Sequence, residues 1–311
     1  KVQVHDADMK PVEATYGTTD NQMTVIEGNL FLKGDQPVNQ RTSYGLGEVI
    51  ADALNNDAEH LVISLGGIGS FDGGAGMLQA LGAKFYDDEG EVIDVTKGSY
   101  ILKYIRRVDF DDLHPRLNEV RIQVMSDFSS RLYGKQSEIM QIYPALGLTR
   151  EEAADIDNTV WYFSEILKSE KQLALGYVER GGAGGGIAAL LNQMYDAEIK
   201  TSQALVDQIT HLESLISKAD LIIFGEGVNE ADQLLETTTL RIAELASKHH
   251  KPSIAICATP DKFELFENMD VTAMFNTFME MPKTYTDFKM GIQIRHYTVQ
   301  AIKLLKTTLE A

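Results

Sequence analysis

The residues best able to do chemistry sit at glycine-rich turns. The apolar run Leu61-Val62-Ile63-Ser64-Leu65 leads into Gly66-Gly67-Ile68-Gly69-Ser70-Phe71-Asp72-Gly73-Gly74-Ala75-Gly76. Such a turn lets the main chain approach an anion closely, and the amides at a following helix start favour negative charge. Asp72 lies among these glycines, beyond the C-terminal end of a strand, where open α/β sheets bind ligands. A carboxylate there can ligate Mg²⁺ or accept a hydroxyl proton, and it can equally cap the next helix. No Gly-Lys-Ser/Thr occurs, so the Walker pattern is absent. The dinucleotide fingerprint also fails, because Asp72 follows Gly67-Ile68-Gly69 where a third glycine is required.

Three other places carry the same kind of signal. Gly181 to Gly186, with Gly184 and Gly185 at its centre, opens a helix and either cradles phosphate or permits close packing. Gly225-Glu226-Gly227 follows an apolar run, so Glu226 can hold a hydroxyl or a metal, or be a surface turn acid. Asp127 ends a strand, as a ligand or as a helix cap. His249-His250 suits an exposed helix end, Cys257 reads as a buried small apolar residue, and Arg106-Arg107 reads as a solvated face.

The elements that must position these groups fall into two patterns. The N-terminal part is β-rich: runs at 12–16 and 23–26 flank the turn-prone Gly17 to Asn21, and Gly47 to Leu54 has helical spacing. Leu61–Leu65 reads as a buried parallel strand, followed by a helix through Leu81. Lys84–Tyr86 and Glu91–Ile93 read as a hairpin around Asp87 to Gly90, and Arg121–Met125 as a further strand. Thr149 with Glu152 forms a capping box, and Ile156, Val160, Phe163 and Leu167 then share a helix face. Leu205, Ile209, Leu212 and Ile216 mark one further helix. From Asp220 strand and helix alternate, with strands at 221–224, 253–257 and 271–275. A last helix carries Phe288, Ile292, Val299, Ile302 and Leu309 on its apolar side. That alternation predicts a doubly wound parallel sheet, and the change of pattern places a boundary between 1–216 and 217–311.

Composition bounds the function. The 311 residues are 44% apolar and 24% charged, enough to bury a core without disulfides or structural metal. Cys257 is the single cysteine, which excludes an internal disulfide and points to a reducing, cytoplasmic setting. A net charge of -18 argues against wrapping nucleic acid or anionic lipid, and no apolar run reaches membrane-spanning length. A small phosphorylated ligand needs only a local pocket. The chain starts at Lys1 with strand-like sequence, which leads one to expect a preceding segment.

Together these segments resemble the bacterial glycerate kinase family of the glycerate 2-kinase type, over nearly the whole chain. Gly66 to Gly82 is similar to the family's G-G-S-A-T-N-D-G-G-A-G-M-x-Q-A-L-G. Tyr44 to Ile50 resembles Y-G-T-G-E-L-I, and Leu113 to Leu117 resembles L-D-P-R-L. Gly181 to Leu191 falls where the family has G-A-G-A-A-G-G-M-G-A-A-L, and Gly225-Glu226-Gly227 matches the start of G-E-G-R-x-D.

The resemblance implies transfer of the γ-phosphoryl group of ATP to a hydroxyl of D-glycerate with Mg²⁺. It also implies two α/β domains: a Rossmann-like one built from both chain ends and a mixed one inserted between them. On that scheme 1–216 is the inserted domain, and 217–311 lacks the opening strand and the D-G-G-E-G-T motif, leaving a sheet edge exposed. Asp72 and Asp127 would be catalytic and would hold Mg²⁺. Gly66, Gly67, Ser70, Gly73, Gly74, Gly184, Gly185 and Glu226 would bind substrate or phosphate. A homodimer is compatible with the sequence and not required by it.

Several family positions differ. Phe71 stands for Asn, and Ser126 to Gly134 keeps Asp127, Leu132 and Gly134 of D-V-T-N-P-L-x-G but not its Asn and Pro. Leu146 stands for the lysine of G-P-Q-K-G, Val228 and Glu230 for the Arg and Asp after Glu226, and Glu236-Thr237 for a later G-K. Losing several groups that steady charge implies, as the alternative, a homologue of low or no turnover that binds a small organic acid or a protein partner.

Overall fold

Apolar runs alternating with helical stretches build two α/β units. The computed structural model describes residues 1–19, 23–127, 129–226, 238–257, 269–276 and 287–309. Contacts divide the chain into Lys1–Thr201 and Ser202–Ala311. The pattern of the sequence placed this division after Ile216. The two short helices over 202–218 join the C-terminal unit because Ile216 is buried in its core, with Leu212 packed against it.

In the first unit, β1 (Val2–His5) pairs antiparallel with β2 (Pro11–Ala14). A five-stranded sheet has the order β3 (Gly17–Thr18), β4 (Met23–Glu27), β5 (His60–Ser64), β8 (Arg121–Met125), β9 (Glu198–Lys200). β3 is antiparallel to β4 and the remaining pairs are parallel. Leu61, Val62 and Ile63 of the middle strand are fully buried, which explains an unbroken apolar run rather than alternation. β6 (Lys84–Tyr86) pairs antiparallel with β7 (Arg107–Asp109). The expected hairpin partner Glu91–Ile93 contributes a single bridge, Tyr86 to Val92. The turn between them forms as expected, with Asp87 accepting from the Glu89 and Glu91 N–H groups.

Helix α1 (Tyr44–Asn55) packs on α2 (Ala75–Ala80). Gly47 allows the approach, since a methyl there would sit within the van der Waals shell of Met77 O. The short α3 spans Glu138–Ile142. Helix α4 (Arg150–Lys171) starts at the predicted capping box, with both reciprocal hydrogen bonds formed. Ile156, Val160, Phe163 and Leu167 are its buried stripe. Helix α5 (Ile187–Tyr195) follows the second glycine cluster.

The second unit contains a parallel sheet ordered β10 (Ile222–Glu226), β11 (Ser253–Cys257), β12 (Ala273–Asn276). The single helix expected over 205–216 is two, α6 (Ser202–Thr210) and α7 (Leu212–Lys218), because His211 is left-handed at φ 52°. Helix α8 (Thr238–Lys248) supplies buried Ala243, Leu245 and Ala246. His249, beyond it, is half-buried against Glu213 (Nε2 to Oε1, 2.9 Å) rather than an exposed end. Cys257 is buried, as expected. In α9 (Asp287–Leu309), Ala301 is buried, whereas Ile292 and Val299 are exposed. Among the described residues no helix is long and apolar enough to cross a membrane.

Candidate functional site

The central parallel strands deliver the site. β5 and β8 are neighbours in register, and the Leu65 N–H donates to Met125 O just beyond their paired residues. Their C-terminal ends therefore bring the turn after Leu65 beside Ser126 and Asp127. Gly66 and Gly67 are exposed, and Gly67 is left-handed at φ 73°. From Gly66 to Ser70 no backbone N–H meets an acceptor among the described residues. Successive unpaired amides around a left-handed glycine are the donors from which anion sites are built. Ser70 is fully buried and its Oγ has no partner. Asp127 is exposed at the end of β8.

Asp72 occupies a different environment. It is 0% exposed and accepts from Ser43 N (2.8 Å), Ser43 Oγ (2.9 Å), Thr42 Oγ1 (3.3 Å), Gly74 N (3.1 Å) and Gly76 N (3.2 Å). Burial raises its carboxyl above the usual range, against the pull of these donors. The side chain ties the start of α1 to the start of α2. It fulfils the capping alternative rather than presenting oxygen to a guest, because its lone pairs already face five donors. Phe71, which stands for the family's Asn, turns into a satellite core with Val38, Ile139, Ala153 and Ile156. It does not plug the Gly66 turn.

Gly73, Gly74, Gly184 and Gly185 are buried, and all four are left-handed. A methyl at Gly73 would come 2.9 Å from the Phe163 ring, at Gly74 2.7 Å from Leu190, and at Gly184 3.2 Å from Leu65. At Gly185 it would overlap Ser70 O. The Gly73 N–H donates to Gly185 O at 3.0 Å, so the two glycine runs pack back to back. Close packing accounts for glycine at these four positions, for which the resemblance implied substrate or phosphate binding. Glu226 ends β10, with its side chain outside the described residues. Phe128, Gly227, Val228, Glu230, Glu236 and Thr237 also lie outside them.

Three buried acids, Asp8, Glu138 and Asp157, carry no mark in the sequence. Glu138 at the start of α3 is 8% exposed and accepts from the Gly185 N–H at 3.3 Å. Burial pushes its carboxyl up to about 7, although the Gly185 and Gly184 amides pull it down. It shares with Asp157, Phe71 and Gly182 a cavity of about 10 Å³, roughly one water's worth. The Asp157 carboxyl is also raised by burial, opposed by the Ser137 hydroxyl and the Gly134 N–H. No local pattern marks Glu138, because only the fold brings the 184–185 turn onto it.

The sequence pattern of the glycerate kinase family matches residues 1–302. A glycerate kinase of Halalkalibacterium halodurans is 32% identical over 255 residues, covering 80% of this chain and 67% of that relative. The glycerate 2-kinase of Escherichia coli K12 is 34% identical over 218 residues, 70% of this chain and 57% of the relative. The chain thus spans between 57% and 67% of the length of these two relatives. A crystal structure from Salmonella typhimurium LT2, provisionally described as glycerate kinase 2, superposes with a TM-score of 0.85. It is 26% identical, and the match covers 100% of this chain and 83% of that one.

Proposed function

This chain belongs to the glycerate kinase family, and on that premise we propose ATP-dependent phosphoryl transfer to a hydroxyl of D-glycerate, giving phosphoglycerate, as its function. The observation that carries the reading is the open turn from Gly66 to Ser70, whose amides meet no acceptor among the described residues and which lies at the strand end next to that of Asp127, itself exposed. The acceptor's hydroxyl oxygen bonds to the γ-phosphorus, the bond to the ADP oxygen breaks, and Asp127 accepts the hydroxyl proton. Phosphoryl transfer asks mainly for positioning and charge stabilisation, which unpaired amides supply.

Asp72 and Asp127 do not fit the shared Mg²⁺ site expected from the sequence. Both Asp72 oxygens face N–H and O–H donors, whereas a hard cation needs free oxygen lone pairs. No group of three or more potential metal-ligating side chains occurs among the described residues. Asp72 is instead assigned to hold the helix starts in place.

A second reading has support in that same enclosed Asp72: a relative that binds a small organic acid or a protein partner without turnover. Coupled detection of ADP release with D-glycerate, Mg²⁺ or Mn²⁺ and the intact protein separates the two, and no turnover with either ion defeats the kinase reading. Asp127→Asn is expected to lower turnover by about 100-fold or more. Asp72→Asn is expected to destabilise the fold by roughly 2 kcal/mol, because its NH₂ group would oppose donors.

A further inference from the structure

The turn that presents free amides is flanked by two polar side chains that no motif assigns. Arg41 lies just before α1, and its Nε donates to Gln36 O at 2.8 Å, which fixes the guanidinium plane. A methyl added at Gly69 would sit 3.3 Å from Arg41 Nη1, so the cation lies against the turn. Among the described residues no carboxylate comes within ion-pair distance of it, in a chain with 46 acidic residues. On the other side, a methyl added at Gly67 would sit 3.7 Å from Asn29 Nδ2, so an amide donor borders the turn. The fully buried Ser70 hydroxyl, without a partner, closes the same segment. A half-buried guanidinium with its Nη groups free, backed by unpaired amides, is the donor set that an oxyanion takes.

We propose that Arg41, with Asn29 and the Gly66–Ser70 amides, forms the subsite for the carboxylate of the acceptor acid and thereby decides which class of acceptor the protein takes. This inference rests on the reading of the protein as acting on a small hydroxy acid. A carboxylate and a terminal phosphate offer the same oxygens, so the source is settled by which ligand feels the arginine. An acceptor without the negative charge, such as glycerol or glyceramide, loses the guanidinium contact and binds poorly. The site makes the protein a reader of the acid group rather than of the hydroxyls alone.

The test is calorimetric binding of D-glycerate, glyceramide, MgATP and inorganic phosphate to the intact protein and to Arg41→Ala, Arg41→Lys and Asn29→Ala, with turnover measured in parallel. Arg41→Ala should weaken D-glycerate by about 10- to 100-fold, leave MgATP unchanged and erase the preference for glycerate over glyceramide. Arg41→Lys should recover part of that preference, which a merely structural arginine would not do. An unchanged preference in Arg41→Ala overturns the inference, and so does a loss confined to MgATP and phosphate, which would make the subsite one for the nucleotide. Glycerate binding that depends on Arg41 without any turnover keeps the inference and removes the kinase reading. Turnover indifferent to Arg41 keeps the kinase reading and removes the inference. If the native protein binds no glycerate, both fall.

Discussion

Glycines of this chain that look alike as text do opposite things: Gly66 and Gly67 form an open pair, and those at 73–74 and 185–186 a packed set. At Gly66 a methyl group would meet nothing within 4 Å, and at Gly67 only the Asn29 side chain at 3.6 Å. At Gly73, Gly74, Gly185 and Gly186 it would press within 3 Å of Phe163, Leu190, Ser70 O and Leu132 respectively. The first pair is exposed and its amides meet no acceptor among the described residues. The packed set turns the missing side chains inward, so that two loops can touch through a main-chain hydrogen bond. Glycine content alone therefore announces close approach of a backbone to something. Whether that something is a ligand or another loop depends on which side of the turn is empty.

The largest effect that follows is at the packed pair. Gly185→Ala places a methyl on Ser70 O at a left-handed position, φ 63°. Left-handed strain and overpacking together should cost about 2–5 kcal/mol. Urea unfolding with an unchanged slope is the measurement. A stability within 1 kcal/mol of native, roughly the strain term alone, would mean that the two loops separate easily and that the contrast is overstated.

What could be read from the residues follows from how local each signal is. The Thr149 to Glu152 box fixes a helix start within four residues, and the structure forms it. Leu61, Val62 and Ile63 run apolar without alternation because all three are fully buried, so the strand's place in a parallel sheet was legible. His211 broke a periodic stripe into two helices, since periodicity does not register one residue turned left-handed. The β6 strand bridges its sequence neighbour only at Val92 and makes its full pairing with Arg107–Asp109, which only the fold supplies. That the Gly66 turn and Asp127 follow the ends of parallel strands was legible. The enclosure of Asp72 was not, because three of its donors come from Thr42 and Ser43, about thirty residues away. Arg41, Asn29 and Glu138 carry no local pattern at all, and their roles come from what they touch.

Glu138 sharpens the contrast from another direction, because its carboxyl leans on the packed turn and not on the open one. Its proton is held up to about 7 in the folded protein, against 4.5 for the free side chain. Below the lower value the group is neutral in both folded and unfolded chains, so burial costs nothing. As pH rises from 4.5 through 7 the unfolded chain releases the proton first, and stability falls. Above 7 the full cost, about 3 kcal/mol, is in place. Glu138→Gln keeps an acceptor for the Gly185 N–H and removes the charge. Its stability advantage over the native protein should be small at pH 4, grow across that window and level off above it. Thermal or urea unfolding at matched pH values reads the difference. A difference independent of pH would mean that the carboxyl reaches solvent and that the turn behind it is looser than the packing indicates.

The smallest effect belongs to the open turn, and its smallness is the informative part. Gly66 is exposed and is not among the left-handed glycines. Gly66→Ala therefore adds a methyl to open space without strain, and stability should stay within about 0.5 kcal/mol of native, tilted upward by the reduced freedom of the unfolded chain. The same methyl enters the space that a bound oxyanion would fill, so glycerate affinity should fall while unfolding barely changes. That separation is what a ligand-facing glycine predicts and a packing glycine forbids. A substantial loss of stability in Gly66→Ala would place this turn with the packed pair, and the amides from Gly66 to Ser70 would then have to be satisfied from within the protein.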